Sequence, residues 1–507
     1  MAHRRRAAIA TLLGSTTNTV IVSVQALLLA PLYLHFVGSR LYGSWLASGE
    51  LLVWMQAFDL GLPNLLIQRI GAADGAGDDK TSGEYFATGT LVLLLLSLTC
   101  LGAVLVLSFF VPGWLKLDAS EARQLSACFQ IAAVPTAALL LNNSVVGLSR
   151  ALQDTSWMNG CVVISGLVGF AVSAILVFMG FGLKAIPLGM SARALIVVAG
   201  SLVFLWFRVR PSIWRNFRLS RRALVDFGRA VPSTTCAGIA YTSLTQSDSV
   251  LTGLVLGPEA VPIFVLTRKG ADLIRSVLDS ISYSTYAGFS HLLGSDDQSR
   301  ARQIYEEVAS IRLSLAVAAT AAFVAANRQL VSVWVGPEQF GGYLLTLLIA
   351  LHSIVAGTSY LMNSLYRATG AVVRGSLMLV IESAVRIPLV VLGMATLGLI
   401  GAPIAGLMTA SISALVVYRW TTARLGADAL ESESSLLLVV QGAILCTGAL
   451  VALVPDTPSW LSVLLRGVSV WTLGVAALLW ADPALARAVA SFKHWYINRI
   501  RPNAAAA

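Results

Sequence analysis

The chain is a succession of long apolar runs separated by short polar connectors. A helix needs ~20 apolar residues to cross the ~30 Å hydrocarbon core of a bilayer, and by that ruler the chain offers about fourteen spans. They lie near 12–36, 42–70, 85–111, 124–148, 157–180, 185–207, 230–253, 261–291, 304–335, 343–367, 375–397, 401–420, 435–454 and 460–480. Charges interrupt two of them, 42–70 and 261–291. No stretch shows the two-residue alternation of a membrane β-barrel. The expected fold is therefore all-α and multi-pass.

Composition sharpens this. Of 507 residues, 57% are hydrophobic and 12% charged, against roughly 25% charged in a soluble domain. So much apolar surface excludes a water-soluble fold, and the low polarity excludes a disordered chain. The net charge is nonetheless +10. Alternate connectors carry it: Arg4 to Arg6; Arg69 and Lys80; Arg150; Arg208 to Arg229; Arg300 and Arg302; Arg367 and Arg374; Arg419 and Arg424; and a tail with Arg487, Lys493, Arg499 and Arg501. The intervening connectors hold only Arg40, Lys116, Arg123 and Lys184. By the positive-inside rule this predicts an even number of spans with both termini in the cytoplasm. Twelve spans, with the last two runs as a hairpin, is the competing count. Three arginines before an apolar run resemble a signal peptide, but the run extends to Phe36 and carries Asn18 and Gln25. It reads as a retained first span.

Several segments carry weaker signals. Arg208 to Arg229 interleaves seven arginines with Trp214, Phe217 and Leu219. A linker lying on anionic headgroups fits this better than a nucleic-acid patch, and no nucleic-acid partner is expected. Gly71 to Gly83 reads as a flexible loop. In the tail, Leu485, Val489, Phe492, Trp495 and Tyr496 share one helical face, as in an interfacial helix. The five cysteines lack metal or disulfide spacing and read as buried small hydrophobes. The turn Val37-Gly38 to Gly43, between the first two spans, is similar to Leu256-Gly257 to Pro262, between the seventh and eighth. A parallel repeat follows, typical of transporters with a site between lobes. The expected division is a six-helix lobe over 1–207, a basic linker over 208–229, a second six-helix lobe over 230–420, and two further helices with a basic tail over 421–507.

Ionisable groups inside the membrane are costly and usually face protein or a cavity. In the eighth span Arg268, Asp272, Arg275 and Asp279 follow i, i+4, i+7, i+11 and share one stripe, with Lys269 beside it. The stripe fits two readings: a self-paired ladder holding register, or a cationic wall for an anionic substrate with the aspartates tuning it. Tyr241, Thr245, Asp248 and Thr252 form a polar stripe in the seventh span, and Thr11, Ser15, Asn18 and Gln25 one in the first. The second span carries Glu50, Gln56 and Asp59. Glu382 and Arg386 form an i,i+4 pair in the eleventh. Arg193 and Arg312 lack an obvious local partner and fit either snorkelling or lining a cavity. His352 reads as a hydrogen-bonded core residue. Prolines beside spans, among them Pro63, Pro135, Pro187, Pro262, Pro388 and Pro403, suggest kinks. Phosphate-binding, metalloprotease and hydrolase motifs are absent from the sequence, so no enzyme activity and no cofactor is expected.

Leu32-Tyr33 to Gly38, Leu41-Tyr42-Gly43-Ser44-Trp45 and Phe58-Asp59-Leu60-Gly61-Leu62 resemble the opening of bacterial polysaccharide and O-antigen repeat-unit flippases, of the multidrug/oligosaccharidyl-lipid/polysaccharide exporter superfamily. Asp248 before a Leu-Gly turn, His291, Tyr305, Arg312 and Trp334-Val335-Gly336 extend the likeness. The resemblance implies two six-helix lobes plus two C-terminal helices in the bacterial inner membrane, working by alternating access. The implied cargo is an undecaprenyl-pyrophosphate-linked oligosaccharide, and the implied partners are the bilayer and polysaccharide-assembly proteins. Arg268, Lys269, Arg275, Asp272, Arg193 and Arg312 are then substrate-site candidates. H+ or Na+ coupling would fall to Glu50, Asp59, Asp248 or Asp272. Two alternatives stay open. A drug or organic-cation antiporter of the same superfamily would want an acidic cavity. A membrane glycosyltransferase, ligase or polymerase would want a large outer loop.

Overall fold

The computed structural model describes residues 25, 27–294, 298–425 and 435–500. Thr11, Ser15, Asn18, Arg4 to Arg6 and Arg501 lie outside the described residues, as do the side chains of His291, Phe492, Trp495 and Tyr496. Among the described residues every regular element is helical. Among the described residues nine segments are long and apolar enough to cross a membrane, and one of them, Val372–Arg424, is two helices joined by a 3-10 turn. Broad belts of exposed leucine, valine and phenylalanine, such as Leu95, Phe109, Leu195 and Ile412, suit hydrocarbon rather than water. The protein is a multi-pass, all-helical membrane protein.

Two compact units divide the chain, Met1–Pro262 and Ile263–Ala507. The first holds α1 (Leu27–Val37), α2 (Ser39–Ala57), α3 (Leu62–Gly75), α4 (Asp79–Trp114), α5 (Ala119–Ala151), α6 (Ser156–Phe178), α7 (Ala185–Phe207), the short α8 (Pro211–Arg215) and α9 (Arg221–Val255). The run 42–70 is thus broken in two. Leu60 and Gly61 take positive φ of 57° and 69°, which stops α2 and lets Pro63 start α3 where a missing N–H costs nothing. Leu66 then fills a hole left by two missing side chains. A Cβ on Gly89 of α4 would stand 2.6 Å from it, and one on Gly147 of α5 would stand 3.4 Å away.

The stretch Gly71 to Gly83 is a correction: it is helix, a tight turn, then helix. Gly77 supplies the left-handed turn at φ 71°, and the Asp78 carboxylate caps α4 by accepting from the Thr81 N–H at 3.0 Å. That bond, with the Thr81 hydroxyl, holds the Asp78 carboxyl below its ordinary range. The basic linker is equally ordered. Ile213 is fully buried, the Ile213 and Asn216 carbonyls sit where a side chain at Gly83 would be, and Arg210 pairs with Asp74 and Asp79. The two similar turns share a feature: Gly38 and Gly257 both adopt positive φ, 86° and 93°. Gly43 lets the second turn rest on α2, since a Cβ there would meet the Pro258 carbonyl at 1.9 Å.

The second unit holds α10 (Ala260–Gly294, entering it at Ile263), α11 (Gln298–Trp334), α12 (Tyr343–Ala368), α13 (Val372–Leu397), α14 (Gly401–Leu425), α15 (Ser435–Leu453), α16 (Trp460–Ala481) and α17 (Pro483–Ile500). Helix α11 is its axis. It presents Ala316, Ala318, Ala321 and Ala325 to α15 and α16, and a Cβ on Gly448 would stand 2.5 Å from the Ala321 carbonyl. Small residues of this kind drive helix packing in lipid, where no hydrophobic effect joins apolar faces.

Three further expectations change. Pro63, Pro187, Pro262 and Pro403 occupy first turns, where proline fits without a kink, while Pro135 and Pro388 lie inside helices. Cys236 and Cys446 are exposed rather than buried, because the apolar run around each turns an outer face there. Leu485 of the tail packs into the second unit's core while Val489 is exposed, so the two do not act as one face.

Two buried polar groups secure the last helices, and neither was singled out by the sequence. Arg466 donates from Nη1 and Nη2 to the Val451 and Val454 carbonyls, each at 2.9 Å, capping the negative end of α15. Asp482 is buried and accepts from the Ser310 and Ser314 hydroxyls at 2.9 and 2.7 Å and from the Ala484 N–H at 2.9 Å. Asp482→Ala strands both hydroxyls and uncaps α17, and should cost about 1–3 kcal/mol. A lowered thermal midpoint in detergent checks this, and an unchanged midpoint refutes it.

Candidate functional site

The site is built on α10, whose N-terminal part is pinned first. The Thr267 hydroxyl accepts from the Gly341 N–H at 2.9 Å and donates to the Gln339 carbonyl at 3.3 Å. The Asn327 amide of α11 donates to the Thr267 carbonyl and to the Thr346 hydroxyl of α12, both at 3.1 Å. Gly270 brings α10 close to α11, because a Cβ there would meet the Phe323 ring at 2.7 Å. The next three turns of α10 are thereby held in a fixed rotation.

Those turns carry the charges, and the charges pair. Arg268 donates from Nε to Asp272 at 3.0 Å and lies over the Phe264 ring at 5.1 Å. Arg275 Nε stands 3.5 Å from an Asp279 oxygen. Arg312, from α11, reaches the other oxygen of Asp279 at 3.0 Å. One aspartate is thus shared by two arginines on different helices. Arg312 is 1% exposed, and Gly357 of α12 makes room for it: a Cβ there would fall 2.3 Å from its Nη2. Asp272 is the open member of the set, with 40% of its side chain exposed. Lys269 is half-buried beside it, and no ion pair to it occurs among the described residues.

Three more ionisable groups face this cluster. His352 of α12 is buried against Gly406 of α14, where a Cβ would stand 2.5 Å from its Nε2. It is near enough for the charges of Arg386, Arg275 and Arg268 to act on it. Its Nε2, where a hydrogen bond is expected, has no partner among the described residues. Glu382 and Arg386 are both buried on α13, and Arg275 acts on Glu382 together with Arg386. The second unit therefore gathers Arg268, Lys269, Asp272, Arg275 and Arg312 with three groups from α12 and α13.

The remaining candidates lie in the first unit. Asp59 sits at the α2–α3 break, where one carboxylate oxygen accepts from the Gly61 N–H at 2.9 Å and the other from Asn143 of α5 at 3.4 Å. Glu50 is half-buried on α2, and Asp248 is buried on α9 with its carbonyl accepting from Thr252 at 2.6 Å. Arg193 on α7 packs beside Gly169 of α6. In the second unit Arg328, near the C-terminal end of α11, donates to the Tyr343 hydroxyl at 2.6 Å and lies over its ring.

The profile of a polysaccharide biosynthesis protein family matches residues 78–341, just over half of the chain. The chain belongs to that family. No curated protein matches it. Among solved structures, the Lipid II flippase MurJ in an inward closed conformation superposes with TM-score 0.67 at 13% identity, over 93% of this chain and 98% of that one. An inward-facing multidrug resistance MATE family transporter of the MOP superfamily gives 0.66 at 15% identity, over 79% and 94%. These likenesses establish the fold, one that the chain shares with membrane transporters.

The Asp279 bridge generates a test. Removing one partner of a buried ion pair leaves an uncompensated charge and costs about 3–5 kcal/mol. Asp279→Asn should lose that much stability. Adding Arg312→Met should recover part of it, because the second change removes the stranded charge. Strictly additive losses in thermal or denaturant unfolding would show that the two residues are not coupled.

Proposed function

We propose that the protein is a flippase that carries an undecaprenyl-pyrophosphate-linked oligosaccharide from the inner to the outer leaflet of the bacterial cytoplasmic membrane. It works by alternating access of two six-helix lobes within a fourteen-span chain, both termini cytoplasmic, and is coupled to an H+ or Na+ gradient. Family membership and a fold held in common with a Lipid II flippase support the reading. The observation that carries it is the cationic excess of the second unit's interior. Among the described residues Arg268, Lys269, Arg275, Arg312 and Arg386 outnumber the carboxylates gathered with them, Asp272, Asp279 and Glu382. An anionic headgroup completes that balance, and a cationic drug worsens it, which disfavours the antiporter reading.

Roles follow from exposure. Arg268, Lys269 and Arg275 border the half-exposed Asp272 and bind phosphate oxygens by charge-assisted hydrogen bonds. Asp272 holds Arg268 in the empty site and yields it when phosphate arrives. Arg312, fully buried against Asp279, positions Arg275 rather than touching cargo. In the first unit Asp59 is a coupling residue. It stands where the helix is broken, and it accepts two hydrogen bonds among the described residues, so it keeps acceptor capacity for a proton or sodium ion. Glu50 and Asp248 are the other coupling candidates, and Arg193 is a secondary contact for the cargo.

Deletion of the gene, with leaflet-resolved analysis of lipid-linked sugar, tests this. The deletion should accumulate the intermediate in the inner leaflet. Wild type should clear it, and Arg268→Ala or Arg275→Ala should slow clearance by roughly tenfold or more, the worth of one charge-assisted bond. Normal sugar export in the deletion strain refutes the proposal. Blocked export with the intermediate already in the outer leaflet would point instead to a polymerase or ligase.

A further inference from the structure

A second basic site lies in the first unit, at the end of the bundle where the linker enters. Arg69 from the end of α3, Tyr85 from the start of α4, and Arg221, Arg222, Asp226 and Arg229 from the start of α9 enclose a cleft of about 470 Å³. One corner is satisfied internally. Arg69 grips Asp226 with two bonds, Nε to one oxygen at 2.7 Å and Nη2 to the other at 2.9 Å, and the Tyr85 hydroxyl donates to the same carboxylate at 3.1 Å. Arg221, Arg222 and Arg229 make no hydrogen bond or ion pair with the described residues. The cleft therefore presents three uncommitted guanidinium groups around one neutralised pair.

The placement of two of these arginines runs against what the fold needs. Arg221 and Arg222 open α9 just after its cap Ser220, and no acidic residue occupies that first turn. Basic charge at a helix N-terminus opposes the helix dipole, whereas an anion there is stabilised. Arg222, Asp226 and Arg229 follow i, i+4, i+7, so both outer arginines face the cleft, separated by ~10 Å along the axis at 1.5 Å per residue. That depth is comparable to the ~5–8 Å headgroup layer on one side of a bilayer. Leu219, Leu224 and Val225 are exposed beside the arginines, an apolar rim that suits acyl or prenyl chains and has no use at a site for a soluble ion.

We propose that this cleft binds the phosphate of a membrane lipid and, resting on the flippase reading above, that it is where the pyrophosphate of the lipid-linked cargo is first held on the cytoplasmic side. The shared chemistry is a phosphate ester at headgroup depth, and its source is either the polyprenyl carrier or bulk anionic phospholipid. Binding there is separate from binding at α10, so each can be abolished alone.

The test uses the full chain in phosphatidylcholine nanodiscs doped with polyprenyl pyrophosphate or with phosphatidylglycerol, bound lipid being counted by native mass spectrometry. The triple variant Arg221→Gln, Arg222→Gln, Arg229→Gln removes no protein contact and should fold. Arg268→Ala removes the α10 site from the count, and in that background the triple change should lower the remaining pyrophosphate lipid at least about tenfold. Phosphatidylglycerol lost equally by the variant would keep the phosphate site but overturn its loading role. Unchanged lipid retention in the triple variant, or inorganic pyrophosphate binding as well as either lipid does, overturns the lipid site. If the triple variant loses lipid and flipping persists in vivo, the loading role fails and the proposed function stands. If Arg268→Ala alone abolishes both readouts, the cleft proposal fails.

Discussion

A charge inside a bilayer must be answered by another charge, and this constraint shapes the second unit. Taking a guanidinium out of water costs several kcal/mol even after relaxation, and Arg312 is almost wholly buried. The answer is Asp279, held within 3.0 Å of Arg312 and 3.5 Å of Arg275. The surrounding packing follows from making that bridge possible. Gly357 vacates the volume the guanidinium fills, and Gly406 does the same for His352. Gly270 allows α10 to approach α11 closely enough for a side chain to span the gap. Thr267 and Asn327 fix the rotation that aims the stripe inward. Gly357, which looks merely permissive in the sequence, is the mould of a buried charged side chain.

Span limits were legible because hydropathy is local. The runs near 185–207, 343–367, 375–397 and 460–480 coincide with helices α7, α12, α13 and α16 to within a few residues. Features set by single dihedrals or by distant partners were not legible. The break after Ala57 depends on positive φ at Leu60 and Gly61; Asp59 and Pro63 hint at an interruption, but not at the dihedrals that make it. Gly71 to Gly83 has loop-like composition, but the Asp78 cap and the Arg210 pairs make it a corner between helices. A cap needs one residue, and composition averages over many.

The site was legible in one dimension only. The stripe Arg268, Asp272, Arg275, Asp279 shows in the spacing, and the pairing along it follows from spacing alone. Arg312 had no partner within its own run, and the one it takes is thirty-three positions earlier on another helix. Arg466 and Asp482 were missed for a related reason. Their hydrogen-bond partners are backbone carbonyls, N–H groups and serine hydroxyls, which carry no sequence signature, and the Asp456 carboxylate that Arg466 approaches at 3.5 Å lies ten positions away, off any helical spacing.

The acidic residues among the arginines bear on how such a site can turn over. A wall of unopposed cations in low dielectric would bind a pyrophosphate tightly and release it slowly, and a carrier must do both at comparable rates. Carboxylates one helical turn away change the reaction from capture to exchange. In the proposed cycle Arg268 leaves Asp272 as it takes phosphate and returns to it when phosphate departs, and the carboxylate left behind is exposed enough to be solvated. The two pairs differ in the way this scheme requires. Asp272 is 40% exposed and free to yield, whereas Asp279 is 8% exposed and committed to two arginines. One end of the stripe is open and the other closed, so in the proposed cycle the self-paired ladder would be the empty state and the cationic wall the loaded one.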